Sequence, residues 1–85
     1  DWKNAMKYVN FSLKENAKNK NAEYTKVIVA DNYYEDRRAV LKLYEDFIKK
    51  YSDSEYAKYD PVLRLARERR DKLTREIFMA DDEEE

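Results

Sequence analysis

Apolar residues recur at helical spacing along almost the whole chain. Trp2, Ala5, Met6, Val9 and Leu13 fall at i, i+3, i+4, i+7 and i+11 and form one stripe, which predicts a helix over 2–16 with Asp1 as its N-cap. The next residues, Ala17-Lys18-Asn19-Lys20-Asn21, carry no stripe. Their two asparagines suit caps and turns, so they read as a connector with a second helix beginning at about 22. Tyr24, Val27, Ile28 and Tyr34 mark the apolar side of that helix, whereas Val40, Leu41, Tyr44, Phe47, Ile48 and Tyr51 mark a later stripe. At about 100° per residue the centres of these two stripes differ by well over a third of a turn, so one straight helix would turn its halves to different sides. The pattern therefore predicts a break at Glu35-Asp36-Arg37-Arg38, although neither Gly nor Pro stands there. One long helix over 22–51 is the alternative. A β-strand over 24–33, suggested by Val27-Ile28-Val29, is a second alternative that lacks a pairing strand.

Ser52-Asp53-Ser54 ends the third helix. Asp60-Pro61 opens a fourth, an N-cap residue followed by proline at the first helical position, where a missing N–H costs nothing. The stripe then runs through Val62, Ala66, Leu73 and Ile77, with Leu63 and Leu65 widening its first turns. Arg69 and Arg70 sit in the middle of it; their aliphatic stems suit apolar surface while the guanidinium groups reach water or an acidic partner. The helix is expected to fray by about Met79, because the run 81–85 is wholly acidic and carboxylates at a helix C-terminus oppose the macrodipole. The expectation is an all-α fold of three to four antiparallel helices, over 2–16, 22–34, 39–51 and 61–79. They form one domain, residues 1–80, followed by a disordered acidic tail at 81–85.

Composition narrows the classes. A chain of 85 residues makes at most one domain and buries only roughly two-thirds of the surface its unfolded form exposes. Charged residues at 44% and a mean hydropathy of −1.11 lean towards disorder, but eight Tyr, three Phe and one Trp supply apolar area enough to hold helices together. With no Gly and one Pro, strand-rich and tight-turn architectures are disfavoured. The absence of His and Cys removes the commonest general base, the best metal ligands and the thiol nucleophile, which excludes zinc, haem and thiol chemistry; no cofactor is expected. No apolar run reaches membrane-spanning length, and the abrupt start at Asp1 suggests a mature product or an excised fragment. The acidic run holds five of the 19 acids, so residues 1–80 carry 18 basic against 14 acidic side chains (19 − 5).

The chain also carries one loose phrase twice: Tyr8-Val9-Asn10-Phe11 returns as Tyr44-Glu45-Asp46-Phe47, 36 positions on (44 − 8), and Ala22-Glu23-Tyr24 as Ala57-Lys58-Tyr59, 35 positions on (57 − 22). A period near 35 in a helix-forming composition points to stacked helical hairpins. The run Val40-Leu41-Lys42-Leu43-Tyr44-Glu45-Asp46-Phe47-Ile48-Lys49-Lys50-Tyr51-Ser52-Asp53-Ser54-Glu55-Tyr56-Ala57 resembles the second helix and exit of a tetratricopeptide repeat (TPR), most of all the subclass in BamD-type outer-membrane assembly lipoproteins and related periplasmic TPR proteins. Ser52 stands where that pattern has proline. The segment Leu63-Arg64-Leu65-Ala66-Arg67-Glu68-Arg69-Arg70-Asp71-Lys72-Leu73 is similar to the Arg- and Leu-rich helix that often follows. Asn4-Ala5 through Phe11-Ser12-Leu13-Lys14-Glu15 fits a preceding repeat more loosely. The resemblance covers about 4–78 and is specific over 40–57. The usual small or Gly-containing turn between paired helices is missing, and the interval from Tyr33-Tyr34 to Ala39-Val40 is about three residues short of the pattern. What the resemblance implies is a non-catalytic protein–protein interaction scaffold, periplasmic or outer-membrane associated.

Candidate sites follow. In a TPR-like solenoid the first helix of each hairpin lines the binding face, which makes Lys26, Val29 and Tyr33 candidates for partner contact; Arg67 and Arg70 of the fourth helix join them. Arg64, Arg67, Arg69, Arg70, Lys72 and Arg75 together suggest phosphate binding, but Glu68, Asp71 and Glu76 are interspersed at pairing distance, so a self-paired face is preferred and nucleic acid is disfavoured. Tyr44 and Tyr51 are explained by packing. The acidic run lacks the glycine and alternating oxygen ligands of a calcium loop. Carboxylate pairs for catalysis, Glu35 with Asp36 or Asp31 with Glu35, need an enclosing pocket that four short helices hardly provide, so no enzyme is expected. The expected partner is a peptide, a helix or a neighbouring subunit, with self-association open. A free-standing structural or designed small bundle is the alternative, and a nucleic-acid-binding helical domain a second.

Overall fold

The computed structural model describes residues 2–16 and 19–84, the backbone alone for residues 2 and 81–84. Four α-helices follow one another: α1 (Trp2–Glu15), α2 (Lys20–Tyr33), α3 (Arg37–Tyr51) and α4 (Pro61–Glu84), with a short 3₁₀ turn at Ala57–Tyr59 before α4. Among the described residues there is no strand, and the segment 24–33 that carries Val27-Ile28-Val29 is helical.

Each helix start has a local cause. The Asn19 side chain accepts from the Ala22 N–H at 3.1 Å and starts α2, two residues earlier than the stripe alone suggested. Asp36 does the same for α3, accepting from the Ala39 N–H at 3.1 Å. The break at 34–36 is therefore made by a cap, with Tyr34 and Asp36 in extended conformation. No described residue has a positive φ, which explains how hairpins form here without glycine. Asp60 accepts from the N–H groups of Val62 and Leu63, at 2.9 and 3.4 Å, and Pro61 opens α4 as expected. The backbone of α4 runs on to Glu84 and does not stop near Met79; the expectation of a disordered acidic tail concerns side chains and a last residue outside those described.

Consecutive helices pack on one another and run antiparallel. Lys50 near the end of α3 pairs with Glu23 near the start of α2, and Arg67 early in α4 reaches Ser52 at the end of α3. The start of α4 returns to the start of α2, where Lys20 pairs with Asp60. The result is a slab of 47 × 34 × 15 Å. Its core lies among α2, α3 and α4: Val27, Val40, Tyr44, Phe47, Ile48, Leu63, Ala66 and Leu73 are buried together with Ala57 of the 3₁₀ turn. Tyr24, Phe47 and Tyr51 stack in a tilted series, with ring centroids 5.6 and 5.2 Å apart, and fasten α2 to α3. On its other side α2 turns the small buried Ala22 and Ala30 towards α1, whose Val9 is fully buried.

The repeated phrase is not repeated in burial. Tyr44 and Phe47 are core, whereas Tyr8 and Phe11 are each 64% exposed, because α1 has one neighbouring helix and spends its inward face on Val9 and the stripe around it. Two stripe residues also fall outside the core: Tyr34, which follows the last turn of α2, and Leu65, which lies at the solvent edge of α4.

Candidate functional site

Between α1 and α3 the helices diverge above α2 and leave an open cleft of about 450 Å³. Its floor is α2, through Lys26, Val29 and Tyr33, with Ala30 beneath and Tyr34 at the end; Met6 of α1 and Leu43 of α3 form the walls. A second hollow of about 190 Å³ continues it along α2, where Leu13, Val27 and Phe47 surround Lys26 and Leu43 again, so the two make one groove. At the far end of the groove Lys50 pairs with Glu23, and Asp46, on its α3 wall, lies 3.5 Å from Lys42.

Sequence and cleft are connected through helical register. Lys26, Val29, Ala30 and Tyr33 are spaced at i, i+3, i+4 and i+7 and share one face of α2, adjacent to the face that Val27 and Asp31 present to the core. The alanines at 22 and 30 let α1 pack closely on α2, and a gap remains between α1 and α3. An apolar floor carrying one ammonium, with tyrosine rings at its mouth, has the composition that suits recognition by burial of side chains and by charge.

Of the five residues expected to contact a partner, the structure brings together Lys26, Val29 and Tyr33. Arg67 and Arg70 lie elsewhere, on the α3–α4 side: Arg67 donates to the Ser52 hydroxyl at 3.4 Å, and Arg70 donates to Asp71 at 3.0 Å beside Lys42 and Lys49. Met6, Leu43 and Tyr34 belong to the cleft and were not singled out. Leu43 carried a usable signal, as an apolar residue off the stripe that Val40, Tyr44, Phe47 and Ile48 define.

The strongest electrostatic feature lies at the centre of the slab and is internal. The Asp31 carboxylate, its side chain 9% exposed, accepts four hydrogen bonds: from Arg69 Nε (2.7 Å) and Nη2 (2.9 Å), from Arg37 Nη1 (2.9 Å) and from the Tyr44 hydroxyl (2.9 Å). Three helices thus meet on one carboxylate. Its pKa falls from the usual 3.8 to about 2, chiefly through the Arg69 hydrogen bonds, against the opposing effect of burial. Burial and the adjacent Asp31 push the Tyr44 hydroxyl well above the ordinary tyrosine value, and Asp31 raises the Arg69 guanidinium further still. A carboxylate held this far down, with all its lone pairs occupied, is poorly suited to general acid–base work. Asp36, the other half of one suggested catalytic pair, is engaged as a cap. Among the described residues no group of three or more acidic, His or Cys side chains is placed to hold a metal ion, and no helix is long and apolar enough to cross a membrane.

The chain matches no family model, no curated protein and no solved structure.

Proposed function

We propose that this chain is a non-catalytic protein–protein interaction scaffold of the TPR type, which takes a peptide or helix of its partner into the cleft above α2. The observation that carries the reading is the convergence of Lys26, Val29 and Tyr33 with Met6 and Leu43 around one open apolar groove. Helix-in-groove recognition needs such a surface, apolar over about two helical turns and bordered by charge. The saturation of Asp31 and the capping role of Asp36 support the non-catalytic half of the proposal. The likeness of 40–57 to BamD-type chains extends it to a role in outer-membrane protein assembly on the periplasmic side.

Nucleic acid is the poorer reading of the α4 arginines. Arg64 lies 3.9 Å from Glu68, Arg69 is held by Asp31 and lies 3.8 Å from Glu76, and Arg70 is held by Asp71, so much of the positive charge is already answered. The free-standing bundle is favoured by one specific observation, the tie of α2, α3 and α4 through Asp31, which gives this chain its own centre.

Peptide selection tests the proposal. Peptides selected on the intact chain from a random library should lose at least about tenfold in affinity, some 1.4 kcal/mol, on Tyr33→Ala or Lys26→Glu, and should be indifferent to Arg70→Ala. Selected peptides whose binding ignores Tyr33 and Lys26 but responds to Arg70 would move the site to the other side of the slab.

A further inference from the structure

Two exposed features of the molecule complement each other. Near the end of α4 two large apolar side chains, Phe78 (66% exposed) and Met79 (62%), stand in solvent, separated by Ala80 from the run of five acids at 81–85. The cleft offers the opposite, an apolar floor under positive charge. Its acids, Glu23 and Asp46, are paired with Lys50 and Lys42, which leaves Lys26 as the charge of the floor. On α1, Val9 faces α2 and Met6 lines the cleft, so at about 100° per residue the positions next around the helix on the cleft side are Asn10, Lys3, Lys14 and Lys7, with no acid among them.

We infer that the cleft takes the C-terminal segment of α4 from a second copy of this chain, with Phe78 and Met79 on the apolar floor and the acidic run along the lysines of α1 and Lys26. The inference rests on the cleft being a protein-binding site, as proposed above, and adds the occupant. The contact joins two different surfaces, so copies associate head to tail, ending where a ring or a reciprocal exchange between two copies closes the series or where one of the two surfaces is blocked. Because the contact is partly ionic, added salt weakens it.

Sedimentation of the full chain tests this. The weight-average mass should rise above the 10.4 kDa of one chain with concentration over roughly the micromolar to millimolar range, and fall back on adding salt. Lys26→Glu with Tyr33→Asp blocks the cleft, and Phe78→Ser with Met79→Ser blocks the segment; all four side chains are exposed. Each double variant alone should stay monomeric with wild-type helicity, and an equimolar mixture should give a one-to-one dimer and nothing larger. A synthetic peptide of residues 77–85, added to the wild type, should dissociate the chains, which keeps the test open should the cleft variant fold poorly. A wild type that stays monomeric throughout, association that survives both double variants, or a mixture of the two that remains monomeric overturns the inference. If the wild type is monomeric yet library-selected peptides still need Tyr33 and Lys26, the occupant is wrong and the cleft stands; if neither result appears, both fail.

Discussion

Asp31 decides more of this molecule than any other side chain, since its four hydrogen bonds hold α2, α3 and α4 on one carboxylate. Asp31→Asn would leave Arg37 and Arg69 without their main partner, and breaking such a partly buried pair is expected to cost about 2–4 kcal/mol. For a chain of this size that is a fall in Tm of 10 °C or more, readable in a thermal melt. The pH dependence has a definite sign. The folded pKa lies below the ordinary one, so the stabilisation is fully present above the usual carboxylate range and is lost as pH falls from about 4 through 2. Although the carboxylate is nearly closed to solvent, the slab is only 15 Å thick and water lies close by, so the contribution is on the order of 1–2 kcal/mol. Urea melts at pH 7 and pH 2.5 should show it, and Asp31→Asn should flatten the difference. Two tyrosines provide a contrast. The Tyr44 hydroxyl donates to Asp31, and Tyr44→Phe should cost about 1.5–3 kcal/mol, as for other hydrogen bonds to charged groups. The Tyr51 hydroxyl is buried beside Glu23, and both burial and that charge raise its pKa, but it lacks the geometry of a hydrogen bond. Tyr51→Phe should be neutral or stabilising by up to about 1 kcal/mol.

At the scale of elements, capping explains where the sequence was legible and where it was not. The break between α2 and α3 was visible as a change of stripe, and Asp36 makes it by accepting from the Ala39 N–H, so no glycine is needed. Asp60-Pro61 was legible for the same reason, as a cap with a fixed φ behind it. Asp60→Ala should cost about 1 kcal/mol for the cap, with a further loss from its pair with Lys20, measurable as a lower denaturation midpoint. Long-range partners were not legible. Arg69 was expected to seek water or an acid, yet nothing in a local period points from residue 69 to residue 31. The same limit hid the different fates of Tyr8 and Tyr44: an identical local pattern is buried in α3, which has helices on two sides, and exposed in α1, which has one. For the cleft, the α2 residues Lys26, Val29 and Tyr33 followed from spacing and from the TPR resemblance, whereas Met6 and Leu43 depend on how far apart α1 and α3 are carried.

At the scale of the molecule, a slab built from four consecutive antiparallel helices gives α1 and α3 no closure over α2, and the groove is the consequence of that geometry. The ionic centre at Asp31 stabilises the slab, while the groove on its face stays open. The most direct measurement is an amide chemical-shift map of the intact chain as the tightest library-selected peptide is titrated in. The account predicts that the shifted amides centre on Met6, Lys26, Val29, Tyr33 and Leu43 and leave those around Arg67 and Arg70 in place. Shifts centred on the α3–α4 side, with the floor of the cleft unmoved, would contradict it.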